Sequence, residues 1–256
     1  MLLLVSAGSA LAAASVRFVH AVPGAGPATL NISVDGAGVS SSPVSFGKVS
    51  DPLEVTEGDA KLTLAPADGG DALAEGSETI EDGAKYTIVA LPKKGGKGAE
   101  IKVFRDEKPQ AGKARFRAIH AAAELGSPDV RVGSRVVAEK LAYGEATDSS
   151  DVPPGTQDVS ITRAGGAGGP LATKPGVELS AGTAVTAVVV GSGGEPTRIL
   201  TISDGTAAPA GAPATGFGGL AAQADDGAPS RLTVALLFAL VAAGMGAACW
   251  SLSGRR

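Results

Sequence analysis

From Val16 onward, apolar and polar residues alternate with a period of two rather than 3.6. In Thr29-Leu30-Asn31-Ile32-Ser33-Val34 the alternation is strict. It places Leu30, Ile32 and Val34 on one face of a strand that ends at the turn Asp35-Gly36. Lys61–Leu64 alternates in the same way, Lys85–Leu91 is more uniformly apolar and reads as a central strand, and Ile101–Phe104 follows. Short strands near Val44–Phe46, Leu53–Val55 and Thr79–Ile80 bring the total to about seven, separated by Gly, Pro and Asp turns, the pattern of an all-β sandwich. No amphipathic helix interrupts the pattern.

The pattern then occurs a second time. Val16-Arg17-Phe18-Val19-His20-Ala21 is matched by Phe116-Arg117-Ala118-Ile119-His120-Ala121, and the two histidines are the only ones in the chain. Later landmarks stay in step: Phe46-Gly47 with Tyr143-Gly144, Asp51 with Asp148, Phe104-Arg105-Asp106 with Ile202-Ser203-Asp204. An internal repeat decides architecture. The expectation is two tandem Ig-like antiparallel β-sandwiches, residues 15–106 and 114–204, joined by a polar linker over 107–113. Strands Val130–Val132, Val159–Thr162, Val185–Val190 and Thr197–Ile202 are expected in the second copy. The sequence leaves open whether the sandwiches pack on one another.

The two ends of the chain change this picture. Residues 1–14 read as a secretory signal lacking its basic front, with cleavage after Ala14. Residues 205–231 are rich in Ala, Gly and Pro and read as a disordered tether. Residues 232–252 carry no charge and match the roughly twenty residues needed for a transmembrane helix. Arg255 and Arg256, in the tail 253–256, put that tail in the cytoplasm and the repeats outside. The lipid bilayer is thus an expected partner.

Formal net charge is -4, from 22 basic and 26 acidic residues, with no basic patch interleaved with aromatics, which argues against nucleic acid. The single cysteine, Cys249, lies in the last apolar run, so neither an intrachain disulfide nor a cysteine metal cluster can form. His20 and His120 could serve as bases or metal ligands, but no nucleophile elbow or His-x-x-His spacing accompanies them. Their equivalent placement points to a structural hydrogen bond pinning the first strand. Asp68-Gly69-Gly70-Asp71 has Gly-rich sequence at its counterpart, residues 165–169, and reads as a hairpin turn rather than a calcium loop. No catalytic, cofactor-binding or metal-ligating residue is assigned.

The run Val16–Pro23, the strand ending Val34-Asp35-Gly36, and Phe46–Asp51 together resemble a bacterial family, domain of unknown function number 4397, found in secreted proteins. The join Ala111–Phe116 is similar to that family's usual join between copies. The resemblance covers residues 16–204 and implies exported β-sandwiches without implying an activity. Ala212-Pro213-Ala214-Thr215-Gly216 resembles a sortase signal, with Ala212 in place of Leu, which implies cutting between Thr215 and Gly216. The expected function is a non-enzymatic cell-surface protein for adhesion, envelope structure or interaction with a cell-wall polymer or another surface protein. Covalent wall attachment, or a metal-binding or hydrolytic module built on His20 and His120, are the alternatives.

Overall fold

The computed structural model describes residues 13–205 except 96–97, 167 and 192–193. The expected leader up to residue 12, the tether from residue 206, Thr215 and Gly216, and the 232–252 span lie outside the described residues. Among the described residues no helix is long and apolar enough to cross a membrane.

The first copy folds as nine strands: β1 (Ala14–His20), β2 (Ala28–Val34), β3 (Ala37–Ser40), β4 (Lys48–Val49), β5 (Leu53–Val55), β6 (Gly58–Pro66), β7 (Ala74–Ile80), β8 (Lys85–Pro92) and β9 (Ala99–Arg105). The second folds as eight: β10 (Ala114–Ala121), β11 (Asp129–Val132), β12 (Arg135–Ala138), β13 (Ser150–Val152), β14 (Gly155–Thr162), β15 (Ala172–Leu179), β16 (Thr183–Val190) and β17 (Arg198–Asp204). Two 3-10 turns, Ala123–Leu125 and Ala164–Gly166, are the other regular elements among the described residues.

Each copy is a pair of sheets. In copy one, β3-β2-β6-β7 faces a sheet in which β1 lies between β8 and the short β4 and β5, with β9 beyond β8. Copy two repeats this with β12-β11-β14-β15 and β13-β10-β16-β17. The expected antiparallel pairing holds except for one pair per copy. β1 runs parallel to β8, and β10 runs parallel to β16. A parallel pair needs a long crossover, and here the whole second sheet of each copy provides it.

The strict alternation of β2 appears as burial of Ala28, Leu30, Ile32 and Val34 between partly exposed neighbours. Leu30 and Ile32 pack with Phe18, Leu62, Leu64 and Ile88 in the first core. Phe116, Val130, Val159, Ile161 and Leu179 build the second. Ala14, expected as the last leader residue, is the first residue of β1; it is fully buried and paired with Val55. Cleavage behind it would remove a core side chain and a strand pairing.

A third core joins the copies. Val19, Ala21, Val89 and Leu91 of copy one pack against Ile119, Ala121, Val188, Val190 and Ile202 of copy two. On β1 the even positions Val16 and Phe18 face the first core while odd Val19 and Ala21 face copy two. The same division holds on β8, β10 and β16, so the body is four sheets deep. Burial on both faces explains why Lys85–Leu91 lacks clean alternation. β1 runs with β8 and β10 with β16, and the Arg17–Asp204 and Arg117–Asp106 contacts near the strand starts and the Tyr143–Pro92 contact near their ends set all four in one direction. The start of β1, the interdomain linker and the end of β17 therefore share one end. The loops after β1, β8, β10 and β16 share the other.

Candidate functional site

The shared layer has a polar end built by one spacing repeated four times. Arg17-x-Val19-x-Ala21, Thr87-x-Val89-x-Leu91, Arg117-x-Ile119-x-Ala121 and Thr186-x-Val188-x-Val190 each set a polar residue before two apolar ones on the same face. Opposite them, Asp106 follows β9 and Asp204 closes β17. The ion pairs are exchanged between copies: Arg17 pairs with Asp204, and Arg117 with Asp106. Arg117 Nε also donates to Thr186 Oγ1 (3.0 Å) and Nη1 to the Arg105 carbonyl (2.7 Å). Thr87 Oγ1 donates to Asp106 at 2.9 Å, and Lys85 stands 3.5 Å from Asp204. Burial pushes the Asp106 carboxyl above its usual range; Arg117 and Thr87 pull it back, while the Asp204 charge adds to the rise. Asp106, expected as the last residue of the first sandwich, is thus a buried partner.

The histidines lie on the inner faces at the far end, both fully buried. His20 Nε2 donates to the Gly26 carbonyl (2.8 Å), and its Nδ1 accepts from the Val22 amide (3.2 Å). His120 does the same with Gly126 (2.8 Å) and Ala122 (3.3 Å). Each ring therefore spends both nitrogens on the loop that follows its strand, as the neutral Nε2–H tautomer. Burial lowers both pKa values, with the glycine carbonyl opposing it. The backbone carbonyls of His20 and His120 accept from Gly47 and Gly144, both at 2.8 Å. Gly47 and Gly144 have φ of +70° and +77°, which a residue with a Cβ adopts only under strain. Among the described residues no group of three or more His, Cys, Asp or Glu is arranged to hold a metal.

Asp51 and Asp148 are exposed, in the loops before β5 and β13. The repeated contacts there are made by their neighbours. Ser50 Oγ accepts from the Phe18 amide (2.9 Å), and Thr147 Oγ1 from the Ala118 amide (3.0 Å).

Two clefts flank this framework. At the histidine end, Val22–Ala25 and Ala123-Glu124 from the two copies, with Lys93 and Ala99 of the β8–β9 hairpin, line a cavity of about 650 Å³. At the linker end, Lys85, Arg105, Asp106–Gln110, Arg115 and Gly205 line one of about 920 Å³. Arg115 there pairs with Glu107 at 2.5 Å. Sequence reasoning found neither cleft, because each is assembled from segments far apart in the chain.

No curated protein matches the chain. Among solved structures, it is similar to the family 26 carbohydrate-binding module of Eubacterium rectale Amy13K in complex with maltoheptaose. The identity is 13%, with 76% of this chain and 97% of that one covered and a TM-score of 0.24. It is also similar to a family 41 carbohydrate-binding module from streptococcal virulence factors, which recognises alpha-glucan (12% identity, 73% and 96% covered, TM-score 0.25). A candidate cell adhesion protein of Bacteroides fragilis NCTC 9343 gives 10%, 71%, 84% and a TM-score of 0.18. Likeness at this level carries no argument about ligand. At the level of sequence the finding is definite: the chain belongs to the family described as "Domain of unknown function (DUF4397)", which matches it twice, over residues 14–131 and 123–225.

Proposed function

We propose that this is an exported, non-enzymatic surface protein whose paired sandwiches form one body with its histidine-end loops at the end opposite the chain's exit. The observation that supports it best is the polarity of that body. The chain leaves β17 at the linker end, and the loops after β1 and β10 gather at the other end around the 650 Å³ cleft. A C-terminal anchor at residues 232–252, reached through residues 206–231, joins the body at its linker end and leaves the cleft free of the connecting chain. Both histidines spend their ring nitrogens on backbone groups, which argues against proton transfer or metal binding by either. The burial of Ala14 moves the proposed leader cut to Ala10-Leu11-Ala12, which leaves β1 whole.

Cell fractionation with intact-mass analysis tests this. Extraction by detergent, a chain beginning at Ala13 and retention of Arg256 are the expected results. Release only by wall digestion, with a mass ending at Thr215, replaces the membrane anchor by wall attachment. Recovery in the cytosol with residues 1–12 retained overturns the proposal.

A further inference from the structure

The contact between the copies is pseudo-isologous: each presents the equivalent face, and each supplies one arginine and one aspartate to the other. Such a surface does not distinguish the second copy of its own chain from that of another chain. Each copy has its own hydrophobic core apart from the shared layer. The covalent connection is the eight residues between β9 and β10, all at one end. Fully extended, eight residues reach about 28 Å, which is enough to connect two bodies abutting at their linker ends.

We propose that the shared face is also an intermolecular docking surface, and that its partner is a second copy of this chain. Two chains exchange repeats, so that copy one of each packs on copy two of the other. Every contact of the shared layer is remade, including Arg17 with the partner's Asp204 and Arg117 with the partner's Asp106. Only the path of residues 107–113 changes. The exchange gives the surface-display reading a partner, but the pairing stands without that reading. Fractionation and the test below can fail separately.

The arrangement of the charges supplies the test. In the full-length Arg17→Asp chain, residues 17 and 204 of one monomer are both acidic. In the Asp204→Arg chain they are both basic. Exchange between the two variants makes both contacts complementary. The variants are unfolded together in urea, refolded as an equimolar mixture in detergent and analysed by native mass spectrometry. The expected product is a dimer holding one chain of each, enriched about tenfold or more over the dimer from either variant alone, with thermal stability close to wild type. The double variant R17D/D204R serves as the folding control and refolds as a stable monomer. A mixture that yields only monomers, each with its own lowered melting temperature, overturns the proposal. A failure of the double variant to fold overturns it as well, because the charges are then not interchangeable.

Discussion

The two ends of the shared layer solve the same problem differently. At the linker end the contacts are reciprocal: an arginine of each copy meets an aspartate of the other. At the histidine end the equivalent residues Phe46 and Tyr143 have diverged. Phe46 lies under the Arg198 guanidinium of copy two, 5.4 Å from ring centre to Cζ. Tyr143 instead donates its hydroxyl to the Pro92 carbonyl of copy one at 2.5 Å. Burial accounts for the contrast. A buried charge without its partner is costly, so Arg and Asp must be kept or lost together in both copies. A half-exposed aromatic tolerates either a cation or a hydroxyl partner.

Symmetry at the linker end is itself incomplete, and this gives the largest expected effect. The Arg117 side chain is 8% exposed and adds two hydrogen bonds, to Thr186 and to the Arg105 carbonyl, to its pair with Asp106, whereas that of Arg17 is 19% exposed and shares Asp204 with Lys85. Arg117→Ala therefore leaves Asp106 buried with only Thr87, and urea unfolding is expected to show a loss of about 3–5 kcal/mol. Arg17→Ala is expected to cost clearly less, since Lys85 remains. Equal losses would mean that the two pairs are equivalent despite their different surroundings.

A second effect sets the ends against each other by pH. Burial lowers the pKa of His20 and His120 below 6.5, so their contribution to stability is present above 6.5 and is lost as pH falls through the folded values. Asp106 is raised above 3.8, so its contribution has the opposite sign: present below 3.8 and lost as pH rises through the folded value. Melting temperature should fall as pH is lowered from about 7.5 to about 5. The His20→Gln/His120→Gln variant starts lower, and its melting temperature should vary less over that window. An unchanged slope would assign the pH dependence elsewhere.

The smallest effects belong to the diverged end. Tyr143→Phe removes one hydrogen bond and should cost about 0.5–1.5 kcal/mol. Arg198→Ala removes the cation over Phe46 and should cost about 0.5–1 kcal/mol. A double-mutant cycle between Arg198 and Phe46 checks that the pair is coupled, and a zero coupling energy would reduce it to mere proximity.

The repeat and most strands were legible because one-sided burial writes alternation into sequence. The expected strand Thr29–Val34 is observed as Ala28–Val34, and Val185–Val190 as Thr183–Val190. Val44–Phe46 is no strand; Val44 makes a single bridge to Ala28. The edge strands β3, β12 and β15 were not read. β15, Ala-Thr-Lys-Pro-Gly-Val-Glu-Leu, is exposed over most of its length, so nothing enforces a pattern there. The shared layer was hidden for the converse reason: strands buried on both faces carry no alternation at all. Its signal lay in the charges. Arg17 recurs as Arg117 and Asp106 as Asp204, and a recurring pair of opposite charges on apolar strands could have been read as a mutual contact. The 3-10 turns and both clefts depend on loop geometry and left no such trace.

The common direction of β1, β8, β10 and β16 also fixes how the body carries force. A load applied between the histidine-end loops and Gly205 runs along the strands. The ladder joining β16 to β17, seven residue pairs from Ala184–Asp204 to Val190–Arg198, is then strained in shear, all rungs at once, rather than unzipped one rung at a time. Pulled along that axis, the body behaves as a rope whose fibres share the tension.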